Sequence, residues 1–289
     1  MTTINEAKGG WHLLLQNHAD AWIVTFAITS GVLILHDFFS WSAALLVFSI
    51  TAGYWLAFAL NDFFDAEVDR FDKIKKHRNF FTQTGTSTTS ALIGFFVAAA
   101  IIAPGMLQFG WSGFIVSVVC VMVMWAYSAP PIRLKSRPGI DLPVHALFVE
   151  TFPYLLVMFL LGLTWTALDF VILGLGIMAS LTAQLEQQIR DFAADQASGE
   201  INFSLSIGVD RALILLKVLS VAMVAYGLYF MVVGVIPLWI APIGLFAVPA
   251  VLSRLWRKPG EPRPEYLIRP VVYLVLAYVL GLLVWRLLI

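Results

Sequence analysis

Acidic and amide side chains end one long apolar stretch of this sequence in a regular pattern. The stretch runs directly into the sequence N-D-F-F-D-A-E-V-D, which contains Asn61, Asp62, Asp65 and Asp69. If a helix continues through this run at 100° per residue, the three aspartates share one face and Asn61 flanks it. Three carboxylates on one face repel each other unless a cation neutralises them. This first acidic cluster, Asn61, Asp62, Asp65 and Asp69, therefore predicts a site for positive charge.

A second acidic cluster, Asp191 and Asp195, ends another apolar stretch. Its two carboxylates are one helical turn apart and face the same way, with Gln184, Gln187 and Gln188 near that face. The candidate donors of both clusters are oxygen atoms, without His or Cys, which favours a hard cation such as Mg²⁺. For either cluster taken alone, the alternative interpretation is a solvated helix end that anchors a span in the membrane interface.

The composition predicts an integral membrane protein. Of the 289 residues, 60% are hydrophobic and only 12% are charged, whereas a soluble domain carries about 25% charged residues. The net charge is zero, from 18 basic and 18 acidic residues, so no basic excess is present to neutralise nucleic acid. The single cysteine, Cys120, excludes a disulfide framework and offers no zinc site.

Nine apolar stretches suffice, or nearly suffice, to cross about 30 Å of hydrocarbon as helices, which takes roughly 17 to 25 residues. The ten-residue alternation of a membrane β-barrel is not visible, which leaves helices as the spanning structure. We therefore expect an all-α polytopic membrane protein, a single membrane domain over residues 1–289 with nine transmembrane helices. The predicted spans are 20–36, 41–60, 90–107, 110–127, 144–163, 165–183, 212–234, 236–253 and 267–287.

The basic residues indicate how this bundle is oriented. If the N-terminus and every second loop share one side of the membrane, that side holds every Lys and Arg except Arg286. Lys and Arg are retained on the cytoplasmic side of membranes. We therefore expect the N-terminus and both acidic clusters on the cytoplasmic side and the C-terminus outside. In a bacterial or archaeal cell, the membrane in question would be the cytoplasmic (inner) membrane.

Both clusters resemble known signatures. The first fits the pattern N-D-x-x-D-x-x-x-D and the second fits D-x-x-x-D, the two signatures of the UbiA superfamily of intramembrane prenyltransferases. The loop Y-S-A-P-P-I-R-L-K, from Tyr127 to Lys135, is similar to the Y-S-x-P-P-x-R-x-K stretch of several members. The resemblance covers nearly the whole chain, because the nine spans and the positions of the motifs after the second and sixth spans also agree.

This resemblance implies a UbiA-like bundle of nine helices around a central cavity. Mg²⁺ would lie between the two clusters and bind a prenyl diphosphate, whose allylic bond ionises so that the prenyl group passes to a lipophilic acceptor. The implied partners are the prenyl diphosphate donor, the lipophilic acceptor and membrane lipid. The implied metal ligands are Asp62, Asp65, Asp69, Asp191 and Asp195, and the implied catalytic residues are Asp62, Asp65, Asp191, Asp195 and Lys135.

Basic residues near the clusters are candidates for binding the diphosphate. Arg133 and Lys135 follow paired prolines, which stiffen the loop that presents them. Retention of basic residues in cytoplasmic loops is the alternative explanation for both. Arg190 is a further candidate, and its alternative partner is Glu186, one helical turn earlier.

Three other polar residues are candidates for substrate binding. Asn61 supports the first cluster, and Tyr127 could donate a hydrogen bond to a phosphate or sit in the interfacial aromatic belt. Glu150 is the only acid within the fifth span, and an ionisable group at that depth is a functional candidate. Glu150 could orient the acceptor or remove its proton; the alternatives are a helix cap or a pair with His145.

Two other functions fit parts of the pattern. A membrane terpene cyclase of the same superfamily would ionise a prenyl diphosphate without a separate acceptor. A cation-coupled transporter would bind its ions at the acids, but it predicts charged or helix-breaking residues near mid-membrane in repeated spans. The acids of this chain gather instead at one face of the membrane. The leading expectation is therefore Mg²⁺-dependent prenyl transfer.

Overall fold

The computed structural model describes residues 12–70 and 75–288, and all regular secondary structure in these ranges is helical. Eight of these helices are long and apolar enough to cross a membrane, and an apolar helix of 17 residues precedes them. In the described part of the chain these helices are α1 (Ala19–Leu35), α2 (Trp41–Asp69), α3 (Thr88–Leu107), α4 (Gly110–Ser128), α5 (Asp141–Leu160), α6 (Ala167–Ala197), α7 (Val209–Val232), α8 (Leu238–Trp256) and α9 (Glu265–Leu288). The predicted all-helical membrane fold is confirmed, and each predicted span corresponds to one of these helices.

Helices α2 and α6 continue well beyond the apolar stretches that predicted them. At 1.5 Å per residue, the 29 residues of α2 span about 44 Å, which exceeds the roughly 30 Å of a hydrocarbon layer. The additional turns carry both acidic clusters. Helix α6 ends before Gly199, whose φ of +75° lies in the left-handed region that favours glycine. The side of the bundle where both extensions lie is called the acidic side below.

Short helical segments lie on the acidic side. His12–Gln16 precedes α1, and the segments that connect long helices are Lys75–Arg78, Phe80–Thr84, the 3₁₀ turn Leu134–Ser136 and Phe203–Ile207. Two of them begin at asparagine caps. The side-chain oxygen of Asn79 accepts from the backbone N–H of Phe81 at 2.9 Å, and that of Asn202 accepts from Leu205 N–H at 3.0 Å. Such caps satisfy backbone donors that the first turn of a helix leaves free, so they fix where these segments begin.

A buried carboxylate, Asp169, holds the opposite side of the bundle together. Its Oδ2 accepts from the backbone N–H and the hydroxyl of Thr166 at 2.6 and 2.7 Å. Its Oδ1 lies 2.8 Å from Nε2 of His36 and accepts from the hydroxyl of Tyr154. Asp169 therefore joins the start of α6 to α5 and to the residue that follows α1.

The largest apolar core lies between α1, α2 and α5. Its buried side chains include Val32, Leu46, Ile50, Val157 and Met158. Helix α3 approaches α2 at Gly105, where a Cβ would overlap the Leu45 carbonyl oxygen and the Ser49 side chain. Small residues permit such close approach of helix backbones in membranes. Packing of α2 against α1, α3 and α5 thus fixes the helix that carries the first acidic cluster.

Three of the long helices depart from a regular α-helix: one is interrupted, and two contain π or 3₁₀ turns. Helix α3 consists of Thr88–Ile102 and Pro104–Leu107, α5 contains the π-helical turn Leu147–Thr151, and α8 begins with Leu238–Ile240 and ends with Ser253–Trp256 as 3₁₀ turns. A π turn carries one additional residue and often occurs at functional sites. The π turn of α5 borders the cavity described below.

Candidate active site

A cavity of about 500 Å³ opens between α2, α3, α4, α5 and α6. Its apolar end includes Ile50, Met106 and Leu156. From Ile50 to Asp69, α2 rises about 28 Å, which is close to the thickness of the hydrocarbon layer. Acidic, amide and basic side chains line the other end: Asn61, Asp65, Asp69, Lys75, Arg133, Lys135, Asp191 and Asp195. Residues of both acidic clusters therefore line one cavity.

Asp65 faces two basic residues of the loop between α4 and α5. Lys135 Nζ lies 2.5 Å from each carboxylate oxygen of Asp65 and 2.7 Å from Oδ1 of Asn61. Arg133 Nη2 lies 3.2 Å from Oδ1 of Asp65. Burial lowers the pKa of Lys135 below its ordinary value, although the charge of Asp65 opposes this shift. The loop predicted to present these two cations therefore does place them at the first acidic cluster.

Arg133 retains an unused donor at the acidic end of the cavity. Its backbone has φ +39°, in the left-handed region, and its Nη2 lies 2.9 Å from Oε1 of Glu200. The Nε of the same guanidinium is buried and has no hydrogen-bond partner within the described residues. A buried donor without a partner is costly. Arg133 itself lines the cavity, so its guanidinium is a candidate to bind an anion there.

Lys75 connects the two clusters. Its Nζ lies 3.2 Å from Oδ2 of Asp191. Burial lowers the pKa of Lys75, but the charges of Asp191 and Asp69 outweigh it, so the pKa lies above its ordinary value. The side chain of Lys75 therefore stays charged between the clusters. The sequence did not single out this lysine from the basic run that follows the first cluster.

Asp191 and Asp195 also have neighbours on their own side of the cavity. Arg190 donates from Nε and Nη2 to the two carboxylate oxygens of Asp191, at 2.8 and 3.0 Å. Arg190 is not among the residues that line the cavity. Its proposed alternative partner, Glu186, binds elsewhere, with Arg254 Nε at 2.9 Å. Asn202 Nδ2 donates to Oδ2 of Asp195 at 2.9 Å.

The structure does not bring Asp62 to the cavity. Asn17 Nδ2 donates to one carboxylate oxygen at 2.7 Å, and His18 Nε2 lies 2.8 Å from the other. The side chain of Asp62 is buried, and only His18 of this group lines the cavity. Burial lowers the pKa of His18, but the hydrogen bond with Asp62 and the charges of Asp62, Asp20 and Asp69 together outweigh it and raise the pKa. Asn17 and His18, which precede α1, thus bind the carboxylate of Asp62. Helical periodicity alone could not indicate these contacts.

Asp69 is positioned by a residue that the sequence analysis missed. Asn79 is buried, and its Nδ2 donates to Oδ2 of Asp69 at 2.8 Å and to the backbone oxygen of Asp62 at 2.7 Å. The same amide caps the helix Phe80–Thr84 through its oxygen. Asn79 therefore fixes the end of α2 relative to the segment that follows it. A polar residue directly before a helix was the signal available in the sequence.

Two other predicted substrate residues differ in their placement. Tyr127 lines the cavity near its acidic end, next to Ser128, whose hydroxyl donates to Oδ1 of Asn61 at 3.3 Å. Glu150 does not line the cavity; it lies in the π turn of α5, and its Cβ faces Gly176 of α6. The predicted alternative pair of Glu150 with His145 is not seen, because the described contact of that histidine is with Ser180.

The acids that face the cavity stand on two separate helices. Within the ranges 12–70 and 75–288, no three His, Cys, Asp or Glu side chains lie close enough together to hold a metal ion by themselves. The cavity does offer oxygen donors of the hard type from Asn61, Asp65, Asp69, Asp191 and Asp195. Mg²⁺ in proteins is commonly bound by one or two carboxylates, with waters and substrate phosphates as the remaining ligands. The donor set therefore fits Mg²⁺.

The sequence of the chain matches one family model. The UbiA prenyltransferase family model matches residues 21–269, which is most of the chain. No curated protein matches the sequence. The matched range includes all nine helices apart from the first residues of α1 and most of α9. It also includes both acidic clusters and the loop that carries Arg133 and Lys135.

Several solved structures share the fold. A UbiA homologue from Archaeoglobus fulgidus, bound to GPP and Mg²⁺, has a TM-score of 0.72 at 19% identity, covering 93% of this chain and 99% of that one. A UbiA homologue from Aeropyrum pernix K1 has a TM-score of 0.70 at 12% identity, covering 94% and 99%. A digeranylgeranylglyceryl phosphate synthase has a TM-score of 0.62 at 15% identity, covering 94% and 97%. At these identities the likeness shows the fold.

Proposed function

Because this chain belongs to the UbiA prenyltransferase family, we propose that it transfers a prenyl group from a prenyl diphosphate to a lipophilic acceptor, with Mg²⁺ as cofactor. One observation carries the proposal. Residues of both acidic clusters line one end of a cavity together with Lys75, Arg133 and Lys135, and the other end of that cavity is apolar. A charged end suits a diphosphate with its metal ions, and an apolar end suits an isoprenoid tail. The relative solved with GPP and Mg²⁺ supports the same ligands.

We assign the Mg²⁺ ligands to the cavity-facing oxygens of both clusters. They are Asn61, Asp65, Asp69, Asp191 and Asp195. Bound there, Mg²⁺ would neutralise the negative charge that develops on the departing diphosphate. These side chains stand on two separate helices, α2 and α6, so ions bound to both would hold the diphosphate of the donor between the two helices. A ligand role for Asp62 stays a prediction from the sequence, and the geometry favours its neighbours.

Basic side chains at the same end bind and orient the diphosphate. Lys135 and Lys75 pair with Asp65 and Asp191, respectively. A diphosphate in the cavity would compete for both ammonium groups through charge-assisted hydrogen bonds. Arg133 lines the same end of the cavity and contributes its guanidinium group. These three cations therefore place the diphosphate at the acidic end and leave the prenyl group to extend along the cavity.

The apolar walls of the cavity protect the reacting prenyl group. Ionisation of an allylic diphosphate leaves a carbocation, which water would trap. Phe58, Phe148 and Phe152 line the cavity below its acidic end. Their bulk excludes water, and aromatic faces attract positive charge. The chain's own contribution to this step is thus a dry, aromatic-lined chamber next to the diphosphate site.

The proposed reaction is tested by following label from the donor. Purified protein would be incubated with Mg²⁺ and prenyl diphosphates of increasing chain length, with and without lipids extracted from the native membrane. We expect a prenylated lipid, identified by mass spectrometry, only when both donor and lipid extract are present. A cyclic hydrocarbon formed from the donor alone would identify a terpene cyclase instead and contradict the transfer.

Replacing Lys135 by Met should weaken donor binding. The substitution removes the ammonium group nearest Asp65 and Asn61 but keeps a similar side-chain length. Losing one charge-assisted bond to the diphosphate should raise the KM for the donor by about 10- to 100-fold. The matched control is Lys258→Met, since Lys258 is exposed and lies outside the cavity lining. Equal KM values for the two variants, measured by initial rates, would remove Lys135 from the diphosphate site.

We also propose the orientation predicted from the basic residues. The acidic side of the bundle would face the cytoplasm, with the C-terminus outside. The loop that carries Arg133 and Lys135 lies on that side. A water-soluble diphosphate would then reach the cavity from the cytoplasm, while a lipophilic acceptor arrives from the membrane.

A further inference from the structure

Two polar side chains lie between the charged end of the cavity and its apolar end. His145 of α5 and Gln184 of α6 both line the cavity. His145 is bonded through Nδ1 only, and its Nε2 has no partner in the described part of the chain. Gln184 is only 9% exposed and makes no hydrogen bond to any described residue. The unpaired polar atoms of both side chains are open to the cavity, so they can bind a ligand that presents polar atoms at this depth.

The contacts of Ser180 favour one tautomer of His145. The Ser180 hydroxyl is fully buried, lies 3.0 Å from His145 Nδ1 and donates to the backbone oxygen of His145 at 3.2 Å. A hydroxyl has one hydrogen, and here that hydrogen goes to the carbonyl. Its lone pair then accepts from Nδ1–H. The opposite assignment would leave two oxygens facing each other without a hydrogen between them. These contacts favour the Nδ1–H tautomer of His145, in which Nε2 presents a lone pair to the cavity.

Gln184 and His145 lie below the level at which the acidic side chains would hold a diphosphate. Gln184 is seven residues before Asp191 on α6, about 10 Å below it. His145 contacts Ser180 through Nδ1 and its backbone oxygen, and Ser180 is eleven residues before Asp191, so the backbone of His145 lies about 16 Å below Asp191. A diphosphate held at Asp191 and the first carbons of its prenyl chain would occupy the space above this pair.

We propose that His145 and Gln184 form the acceptor subsite and that His145 is the general base of the transfer. This inference rests on the proposed function and adds the substrate class, a hydroxylated acceptor, either an alcohol or a phenol. Gln184 binds the acceptor's polar head, and Nε2 accepts its O–H hydrogen bond. The C1–O bond of the donor breaks, and its electron pair leaves with the diphosphate. The acceptor's nucleophilic atom bonds to C1, and the proton that the acceptor loses passes to Nε2.

Replacing His145 by Gln tests the base separately from donor ionisation. Gln can hydrogen-bond Ser180 but takes no proton at neutral pH. Transfer of labelled prenyl group to a native-membrane lipid extract should fall by about 100-fold or more, the usual contribution of a general base. Scrambling of ¹⁸O from the bridging position of the donor, which reports cleavage of the C1–O bond, should stay within about twofold of wild type. His77→Gln, at an exposed histidine outside the cavity lining, should keep both rates.

A second arm tests the acceptor class and the role of Gln184. Acetylating the free hydroxyl groups of the same lipid extract should abolish transfer by wild-type protein. Gln184→Leu should raise the extract concentration that gives half-maximal rate by about tenfold, the equivalent of one lost hydrogen bond. Unchanged transfer to the acetylated extract would overturn the hydroxylated acceptor. A half-maximal concentration that Gln184→Leu leaves at the wild-type value would remove Gln184 from the subsite.

The remaining outcomes separate this inference from the proposed function. Near-native transfer by His145→Gln would overturn the general base while leaving the transferase intact. If wild-type protein neither scrambles ¹⁸O nor transfers label, the proposed function fails and the subsite with it. The tautomer is tested without turnover by ¹⁵N spectra of histidine-labelled protein, in which His145→Gln identifies the resonance. An Nε2–H tautomer would contradict the assignment, and Nδ1–H supports it.

Discussion

Replacing Asp65 by Asn should reduce prenyl transfer by about 1,000-fold or more, because the carboxylate stabilises the cations around the departing diphosphate. Asp65 lines the cavity and contacts Lys135 and Arg133. Asn has nearly the same shape, so packing of α2 should persist while one negative charge is lost. Transfer of labelled prenyl group gives the rate, and thermal unfolding in detergent verifies that the variant is folded. Near-native transfer by a folded Asp65→Asn protein would remove this carboxylate from the metal site.

The matched comparison is Asp62→Asn, three residues earlier on the same helix. Both oxygens of Asp62 are held by Asn17 and His18, away from the cavity. Asn can satisfy one of these donors but presents an N–H group to the other. We therefore expect a melting temperature lower by about 5 °C and a loss of transfer of less than about tenfold. If Asp62→Asn loses transfer and Asp65→Asn keeps it, the assignment of the first cluster is reversed.

Features encoded by neighbouring residues were predictable from the sequence. Apolar length predicted the helices, and spacing predicted that Asp65 and Asp69 share a face of α2. The predicted span ended at residue 60, and continuation of the helix through Asp69 was the condition on which the spacing was interpreted. Arg133 and Lys135 were predicted because two prolines constrain the loop that carries them. Each of these predictions needed only the geometry of one helix or one turn.

Contacts between distant segments could not be predicted in the same way. Asn17 and His18 reach Asp62 over more than forty residues, and Asn79 reaches Asp69 from a separate helix. Helical periodicity gives the direction of a side chain but not which loop packs against it. Asp62 and Asp69 differ by only 20° around α2, yet only Asp69 lines the cavity. The neighbouring segments decide that difference.

Glu150 shows the same limit for a single ionisable residue in an apolar stretch. From the sequence one can infer only that the Glu150 side chain faces away from lipid. A side chain meets this constraint by facing any neighbouring helix, and Glu150 faces Gly176 of α6 instead of the cavity. The π turn that contains Glu150 also shifts the helical register after it. His145, one turn earlier, takes the cavity-facing position instead.

Removing divalent ions with EDTA should stop transfer while leaving the protein folded. Without Mg²⁺, charge on the departing diphosphate loses its main stabilisation, so the rate should fall by about 1,000-fold or more and return when Mg²⁺ is added. The fold should not depend on the ions, because Lys135 already neutralises Asp65 and Lys75 already contacts Asp191. We expect EDTA to change the melting temperature by less than about 2 °C. Full transfer in EDTA would exclude the metal-dependent reaction.

The Lys135→Met variant tests why EDTA should leave the melting temperature of the wild-type protein nearly unchanged. Without its ammonium group, Asp65 and Asp69 lie near each other at the acidic end with less compensating charge. Chelation should then lower the melting temperature of this variant by more than about 5 °C, since like charges in a partly buried site destabilise the fold. Mg²⁺ should restore the lost stability by binding the folded state. An equal response of wild type and Lys135→Met to EDTA would mean that Lys135 does not compensate the first acidic cluster.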